Sequence, residues 1–194
     1  MADEEKRGRP RDMAARRRVL TAAYALLEEG GVTALTMEAV AARAKVGKPM
    51  LYRSWPNAQA LAMAALIEAA PDAPEDDGSG PALAALRRQV RFVVEVFASR
   101  IGRSAAALVA SATRDTEIFK SFRSQVILSS RTVGRALISR AVEEGDIRPG
   151  IDVEAALDAI YGPVFFRVLV GHEGLDAGFA DRLMDTVLEG LRPR

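Results

Sequence analysis

Along almost the whole chain, apolar residues recur at spacings of three and four, and strand signals are nearly absent. That pattern restricts the fold to packed helices. The breaker residues then divide the chain. Gly30-Gly31 stops a first helix that opens at Asp12 as its cap and carries Val19, Leu20, Ala23, Leu26 and Leu27 on one stripe. Thr36 caps a short second helix, Lys45-Val46-Gly47 separates it from a short third, and Pro56-Asn57 precedes a fourth over residues 57–70. The Pro-, Asp- and Gly-rich stretch 71–81 is the one clear loop. Beyond it the periodicity predicts helices over 82–100, 104–114, 116–144, 153–170 and 177–191, with Gly102 dividing the first two and Pro163 kinking the fourth. The expectation is an all-α chain of about nine helices.

Composition narrows the function. The chain contains no Cys and one His, His172, which excludes a disulfide framework, a thiolate metal site and a multi-His metal centre. We expect no metal, no cofactor and no catalytic residues. No apolar run approaches the length of a membrane span, and the charged N-terminus lacks an apolar signal core, so a cytoplasmic address is expected. Lys and Arg number 27 against 26 Asp and Glu, a near-balance that taken alone argues against a polyanionic partner. The distribution reverses that impression. Residues 1–62 carry a net charge of +4 and residues 63–194 one of −3. No acid falls between Glu38 and Glu68, whereas Arg43, Lys45, Lys48 and Arg53 do. A basic head on a mildly acidic body suggests a nucleic-acid-binding domain joined to one with another task.

The two short helices around Lys45-Val46-Gly47 match a helix-turn-helix. Helices that cross steeply need small side chains at the contact, which Ala41 and Ala44 supply. Val46 is the apolar residue the turn tucks inward, and Leu51 is the inward anchor of the second helix. Lys48, Pro49, Met50, Tyr52 and Arg53 lie on its outer face or at its start, where base edges are read.

The surrounding segment, Val19 to Leu61, resembles the N-terminal signature of the tetracycline-repressor family of bacterial regulators. The elements of that signature read here as Gly30-Gly31, Thr36, Val40-Ala41, Ala44-Lys45-Val46-Gly47, Leu51-Tyr52, Trp55-Pro56 and Leu61, without gaps. The stretches Gly145-Asp146-Ile147-Arg148-Pro149 and Tyr161-Gly162-Pro163-Val164-Phe165-Phe166-Arg167 resemble one branch of that family's C-terminal domains. Three positions depart from the pattern. Lys45 replaces the usual turn glycine, which costs about 1 kcal/mol but adds a cation near DNA. Gly47 replaces a Ser or Thr cap, and Ala58 replaces a frequent phosphate-binding Lys.

The resemblance implies an arm over residues 1–11, a helix-turn-helix domain over 12–62 and an effector-binding, dimerising domain over 63–194. It implies that Thr36 and Tyr52 bond phosphates, with Lys45 nearby, and that Lys48, Pro49, Met50 and Arg53 face the major groove. The planar fork of Arg53 suits a guanine edge, and Met50 or Pro49 suits a thymine methyl. Tyr52 as a core aromatic and Arg53 as a phosphate contact stay open as alternatives. Trp55 is expected to pack beneath the reading helix. In the arm, Arg7-Gly8-Arg9-Pro10 resembles an AT-hook, with Arg7 and Arg9 in a narrow minor groove; the alternative is a solvated tail. Arg16, Arg17 and Arg18 add candidate phosphate contacts.

For the body the resemblance implies a small-molecule pocket, with Phe97, Phe119, Phe122, Tyr161 and Phe165 as candidate lining and Arg91, Arg114 or Arg167 as a candidate anchor for an anion; the alternatives are a filled core for the aromatics and a surface or acid-paired place for each arginine. It implies a homodimer formed by the last two helices through Val153, Leu157, Ile160, Val164, Phe179, Leu183 and Val187. Two reading heads would then lie roughly 34–36 Å apart, or a multiple of that, on a palindromic operator of double-stranded DNA. The function implied is a repressor released when a small molecule favours the conformation that does not fit DNA. The rivals are an architectural DNA binder without effector, an activator of the same family and, remotely, an all-helical enzyme built on His172.

Overall fold

The computed structural model describes residues 5–113 and 115–193 and, among these, side chains from Met13 onward. These residues form ten α-helices and no strand: α1 (Glu5–Gly30), α2 (Met37–Ala44), α3 (Lys48–Ser54), α4 (Ala58–Glu68), α5 (Ala82–Ala98), α6 (Arg100–Ala110), α7 (Glu117–Phe122), α8 (Ser129–Glu143), α9 (Val153–Val170) and α10 (Ala177–Leu191). The chain separates into two compact units. The first holds residues through Ala69 together with Ala112–Phe122; the second holds Ala70–Ser111 and the chain from Arg123 onward. The first unit thus extends past the expected boundary at residue 62 and takes in all of α4 and the later helix α7.

In the first unit α1 packs on α2 and α4, α2 on α3, and α4 on α7. Val19, Ala23 and Leu27 form the buried stripe of α1, and Val40, Ala44, Leu51 and Leu61 are buried on α2, α3 and α4. The α1 backbone is already helical at Glu5 rather than from a cap at Asp12. Of the expected arm, residues 1–4 lie outside the described residues, and 5–11 continue the α1 backbone. The side chains of Arg7 and Arg9 lie outside the described residues, as does Arg114.

The second unit is built around α5, which packs against α6, α8, α9 and α10. Its inward stripe is Leu86, Val90, Val93, Val94 and Phe97. Two expected boundaries are corrected. Gly102 does not separate α5 from α6; it lies inside α6, which Ser99 caps by accepting a bond from the Gly102 amide at 3.2 Å. A β-carbon on Gly102 would collide with the Val96 carbonyl and the Phe97 backbone. Glycine is present because two helices meet at a tight corner, not because a helix ends there. The expected helix over 116–144 is also not uniform. Between α7 and α8 the backbone widens into a π-helical segment, Arg123–Leu128, a form that occurs mostly as single turns and frequently at functional sites. Val133 of α8 is exposed. α9 starts at the cap Asp152, runs through Pro163 and stops at Gly171, whose left-handed φ of 67° suits glycine.

Candidate functional site

The reading head is assembled by capping and by one left-handed residue. The Thr36 hydroxyl accepts a hydrogen bond from the Ala39 amide at 3.1 Å, fixing the start of α2. Its own proton is left to donate outward. Lys45 ends α2 with φ 54° and ψ 51°, so this lysine does adopt the left-handed turn usually given to glycine. Gly47 precedes α3 in an extended conformation and makes no side-chain cap. Pro49 sits in the first turn of α3, where a missing N–H costs nothing.

α3 is oriented by what it buries. Leu51 is fully enclosed, and Trp55 at the helix end is buried with the Arg16 guanidinium over its ring at 4.9 Å. Trp55 is thus a buried packing residue. Rotation about α3 is then fixed, and the opposite face carries Lys48, Pro49, Tyr52 and Arg53, all exposed, with Met50 half-buried. Tyr52 is 51% exposed, which removes the alternative that it is a core aromatic.

The cations of the head fall into two groups. Lys48 Nζ bonds Glu38 Oε1 at 2.8 Å, an exposed pair that lowers the Glu38 carboxyl below its usual range and raises the Lys48 amine. Arg43 makes a two-pronged pair with Glu29, both bonds 2.8 Å, which lowers the Glu29 carboxyl. Among the described residues, Arg17, Arg18, Lys45 and Arg53 make no ion pair. Arg17 and Arg18 of α1 line an open groove with Arg43 and Lys45 from the end of α2, so cations far apart in sequence converge on one surface of this unit. Residue patterns missed Glu38 and Glu29 as partners. A pair separated by ten or fourteen positions leaves no local signal.

The second unit contains a cavity of about 250 Å³. α5 contributes Val93 and Phe97, the π-helical segment Val126 and Ile127, α8 Ser130 and Arg131, and α9 Asp158, Tyr161, Gly162 and Phe165. Phe97, Tyr161 and Phe165 are brought together as expected, with the Phe97 and Phe165 rings edge to face at 4.8 Å. Phe119 and Phe122 are not. They belong to α7 of the first unit, where Phe122 is buried, so they are corrected from cavity lining to packing. Of the candidate anion anchors, Arg91 takes the alternative of an acid pair and Arg167 that of a place outside the cavity. Arg91 pairs with Asp181 at 2.7 Å, and Arg167 lies over the Phe179 ring at 3.8 Å and bonds the Gly174 carbonyl; neither lines the cavity.

The cavity's polar wall is a closed network. The Tyr161 hydroxyl donates to Gln89 Oε1 at 2.6 Å, and Gln89 Nε2 donates to the Ser130 carbonyl at 2.9 Å. Burial pushes the Tyr161 phenol up to about 12, so it stays neutral. At the rim Arg131 bonds Asp158 Oδ1 at 2.6 Å and Glu154 Oε2 at 2.5 Å, and Arg135 also reaches Glu154.

The residues expected to form a dimer face separate by helix rotation. Leu157, Ile160 and Val164 are fully buried in the protomer's own core, and Phe179 nearly so, which removes them from any partner surface. Val153, Leu183 and Val187 are half-exposed. The outward apolar residues of α9 are instead Phe166, Leu169 and Val170, each more than half exposed, following the small residues Ala155, Ala159 and Gly162 on the same side. An α9 that is apolar all round gives no sequence signal for which side faces in.

No helix among the described residues is long and apolar enough to cross a membrane. Residues 19–65 match the model for bacterial regulatory proteins of the tetR family, and residues 74–187 match that for the tetracyclin repressor-like C-terminal domain. The chain is 28% identical over 189 residues to the uncharacterized HTH-type transcriptional regulator YdeS of Bacillus subtilis (strain 168), covering 97% of this chain and 96% of that protein. Among solved structures it is similar to the TetR family transcription regulator SCO0332, with 31% identity, a TM-score of 0.68, and coverage of 92% of this chain and 99% of the other. A transcriptional regulator FadR from Bacillus subtilis in complex with stearoyl-CoA shares the fold at 15% identity and a TM-score of 0.65, covering 91% of this chain and 99% of that one. The chain belongs to the tetracycline-repressor family of bacterial transcription regulators, with a helix-turn-helix DNA-binding head and a helical C-terminal domain.

Proposed function

We propose that the protein is a homodimeric repressor that binds a palindromic operator and leaves it when a small molecule enters the cavity of the second unit. The observation that carries the DNA half is the fixed rotation of α3: Leu51 and Trp55 hold one face in, leaving Arg53, Tyr52, Pro49 and Lys48 out. Arg53 reads a guanine edge, Met50 or Pro49 meets a thymine methyl, and Thr36, Tyr52 and Lys45 hold phosphates. Arg17 and Arg18 extend the phosphate contacts. Arg7 and Arg9 are the candidates for the adjacent minor groove.

The dimer reading is supported by the exposed side of α9, where Phe166, Leu169 and Val170 follow small residues, with Leu183 and Val187 of α10 half-exposed. Contiguous exposed apolar surface of this kind marks an interaction site. The release reading is supported by chain order. The π-helical segment that walls the cavity continues directly from α7, and α7 packs on α4 within the head's own unit. A ligand that binds more tightly when this segment is shifted favours the conformation that does not fit DNA, and one with equal affinity for both shifts nothing. A protein of the same fold that binds stearoyl-CoA is consistent with a small-molecule role for this unit.

The test is a gel shift of the full chain on the DNA upstream of its own gene. A discrete band that survives competitor DNA and is lost in Arg53→Ala supports the reading. Folded protein that gives no specific band at low salt contradicts it.

A further inference from the structure

The cavity's size, its wall and the charges on its rim together constrain what it can hold. An apolar protein cavity of roughly 150 Å³ accommodates one benzene ring. At about 250 Å³ this cavity has room for a second fused ring but does not enclose a long acyl chain. Val93, Phe97, Val126, Ile127 and Phe165 make most of the wall apolar.

Most of the polar groups present are used on one another. Tyr161, Gln89 and the Ser130 carbonyl close a hydrogen-bonded chain, which leaves the Ser130 hydroxyl as the uncharged lining group open to one polar atom of a ligand. The rim holds a cation, Arg131, but it is bracketed by two carboxylates, Asp158 at 2.6 Å and Glu154 at 2.5 Å. With Arg135 also on Glu154, two positive and two negative charges balance locally. An anionic ligand would have to displace one of these carboxylates from Arg131 or sit beside Asp158. The second Asp158 oxygen is left for a cation, but at the exposed rim and beside Arg131. Either charge would exchange full hydration for an apolar wall with no counter-charge inside it, which is costly.

We infer that the cavity takes a compact, uncharged, mostly apolar molecule of roughly two fused rings, and that Glu154 and Asp158 act as specificity residues by keeping Arg131 from binding anions. This rests on the reading of the cavity as the effector site.

The test uses the full chain and three probes: 2-naphthol, uncharged at neutral pH; 2-naphthoate, the same rings with a carboxylate; and stearoyl-CoA. Calorimetric titration should show saturable 2-naphthol binding, with 2-naphthoate at least about ten-fold weaker because an unpaired carboxylate is poorly tolerated in the cavity. Stearoyl-CoA should not displace 2-naphthol. Val126→Phe and, independently, Ser130→Phe fill the cavity and should abolish 2-naphthol binding while the melting transition is retained. The double variant Glu154→Gln with Asp158→Asn frees Arg131. It should raise 2-naphthoate affinity relative to 2-naphthol about ten-fold, a change of preference that loss of rim structure alone would not produce. The inference is overturned if 2-naphthol does not bind, if 2-naphthoate or stearoyl-CoA binds as tightly in the native chain, or if neither filling variant weakens 2-naphthol.

The same titrations on the DNA complex separate the two ideas. If 2-naphthol binds in the cavity and the complex persists, the ligand class stands and the effector reading falls. If 2-naphthoate or stearoyl-CoA releases the DNA, the effector reading stands and the ligand class falls.

Discussion

Arginine does different work in the two units. In the second unit it braces helices. Arg87 and Arg91 of α5 pair with Asp185 and Asp181 of α10, Arg131 and Arg135 of α8 pair with Glu154 and Asp158 on α9, and Arg140 holds Asp76 of the loop. In the first unit Arg43 braces in the same way through Glu29, but Arg17, Arg18 and Arg53 face solvent without an acid among the described residues, and Lys45 does the same from a strained turn. A paired cation positions its own protein, whereas an unpaired one is available to a polyanion.

The contrast can be broken first at its hydrophobic supports. Leu51→Ala removes the fully buried anchor of α3 and should cost about 2–5 kcal/mol of stability in urea unfolding, taking specific DNA binding with it. Gly134→Ala tests the bracing unit. A β-carbon there would lie 2.6 Å from the Tyr161 hydroxyl and 2.9 Å from Leu157 Cδ2, so about 1–3 kcal/mol should be lost, with DNA affinity of the folded protein unchanged.

Arg53→Ala should show the reverse profile. Unfolding stays the same within error, while specific DNA binding loses about 1–3 kcal/mol and selectivity relaxes at one base position. Alkaline titration sharpens the contrast again. The Tyr161 phenol is raised from an ordinary 10.0 to about 12 in the folded state, so between those values the unfolded chain holds fewer protons and stability falls as pH rises. The loss, on the order of 2 kcal/mol, should shrink in Tyr161→Phe. The smallest effect is expected at Glu38→Gln, which frees Lys48. Affinity for random-sequence DNA should rise about two- to five-fold, read by anisotropy at low salt, because exposed pairs are weak.

Much of the head could be read from sequence because its determinants are local: a Thr36 cap, a three-residue turn, and Leu51 spaced from Ala41 and Ala44. The body was less legible because its determinants are contacts. Gly102 looks like a helix breaker, and its real role is visible only against the Val96 and Phe97 backbone. The apolar spacing across 116–144 persists while the backbone widens at Arg123–Leu128, so periodicity could not locate the wall that Val126 and Ile127 supply. Phe119 and Phe122 share the aromatic character of Phe97 and Phe165 but belong to the other unit. In α9, Leu157, Ile160 and Val164 were indistinguishable in composition from Phe166, Leu169 and Val170, yet the first set is buried and the second exposed.

The central claim is that the exposed face of α3 reads sequence while the second unit does not. Selection of the full chain against a pool of random DNA duplexes tests it most directly. The account predicts enrichment of an inverted repeat whose half-sites lie a whole number of helical turns apart, with the enrichment abolished in Arg53→Ala. Retention of duplexes without any enriched sequence, by protein that is folded and binds DNA, would contradict it.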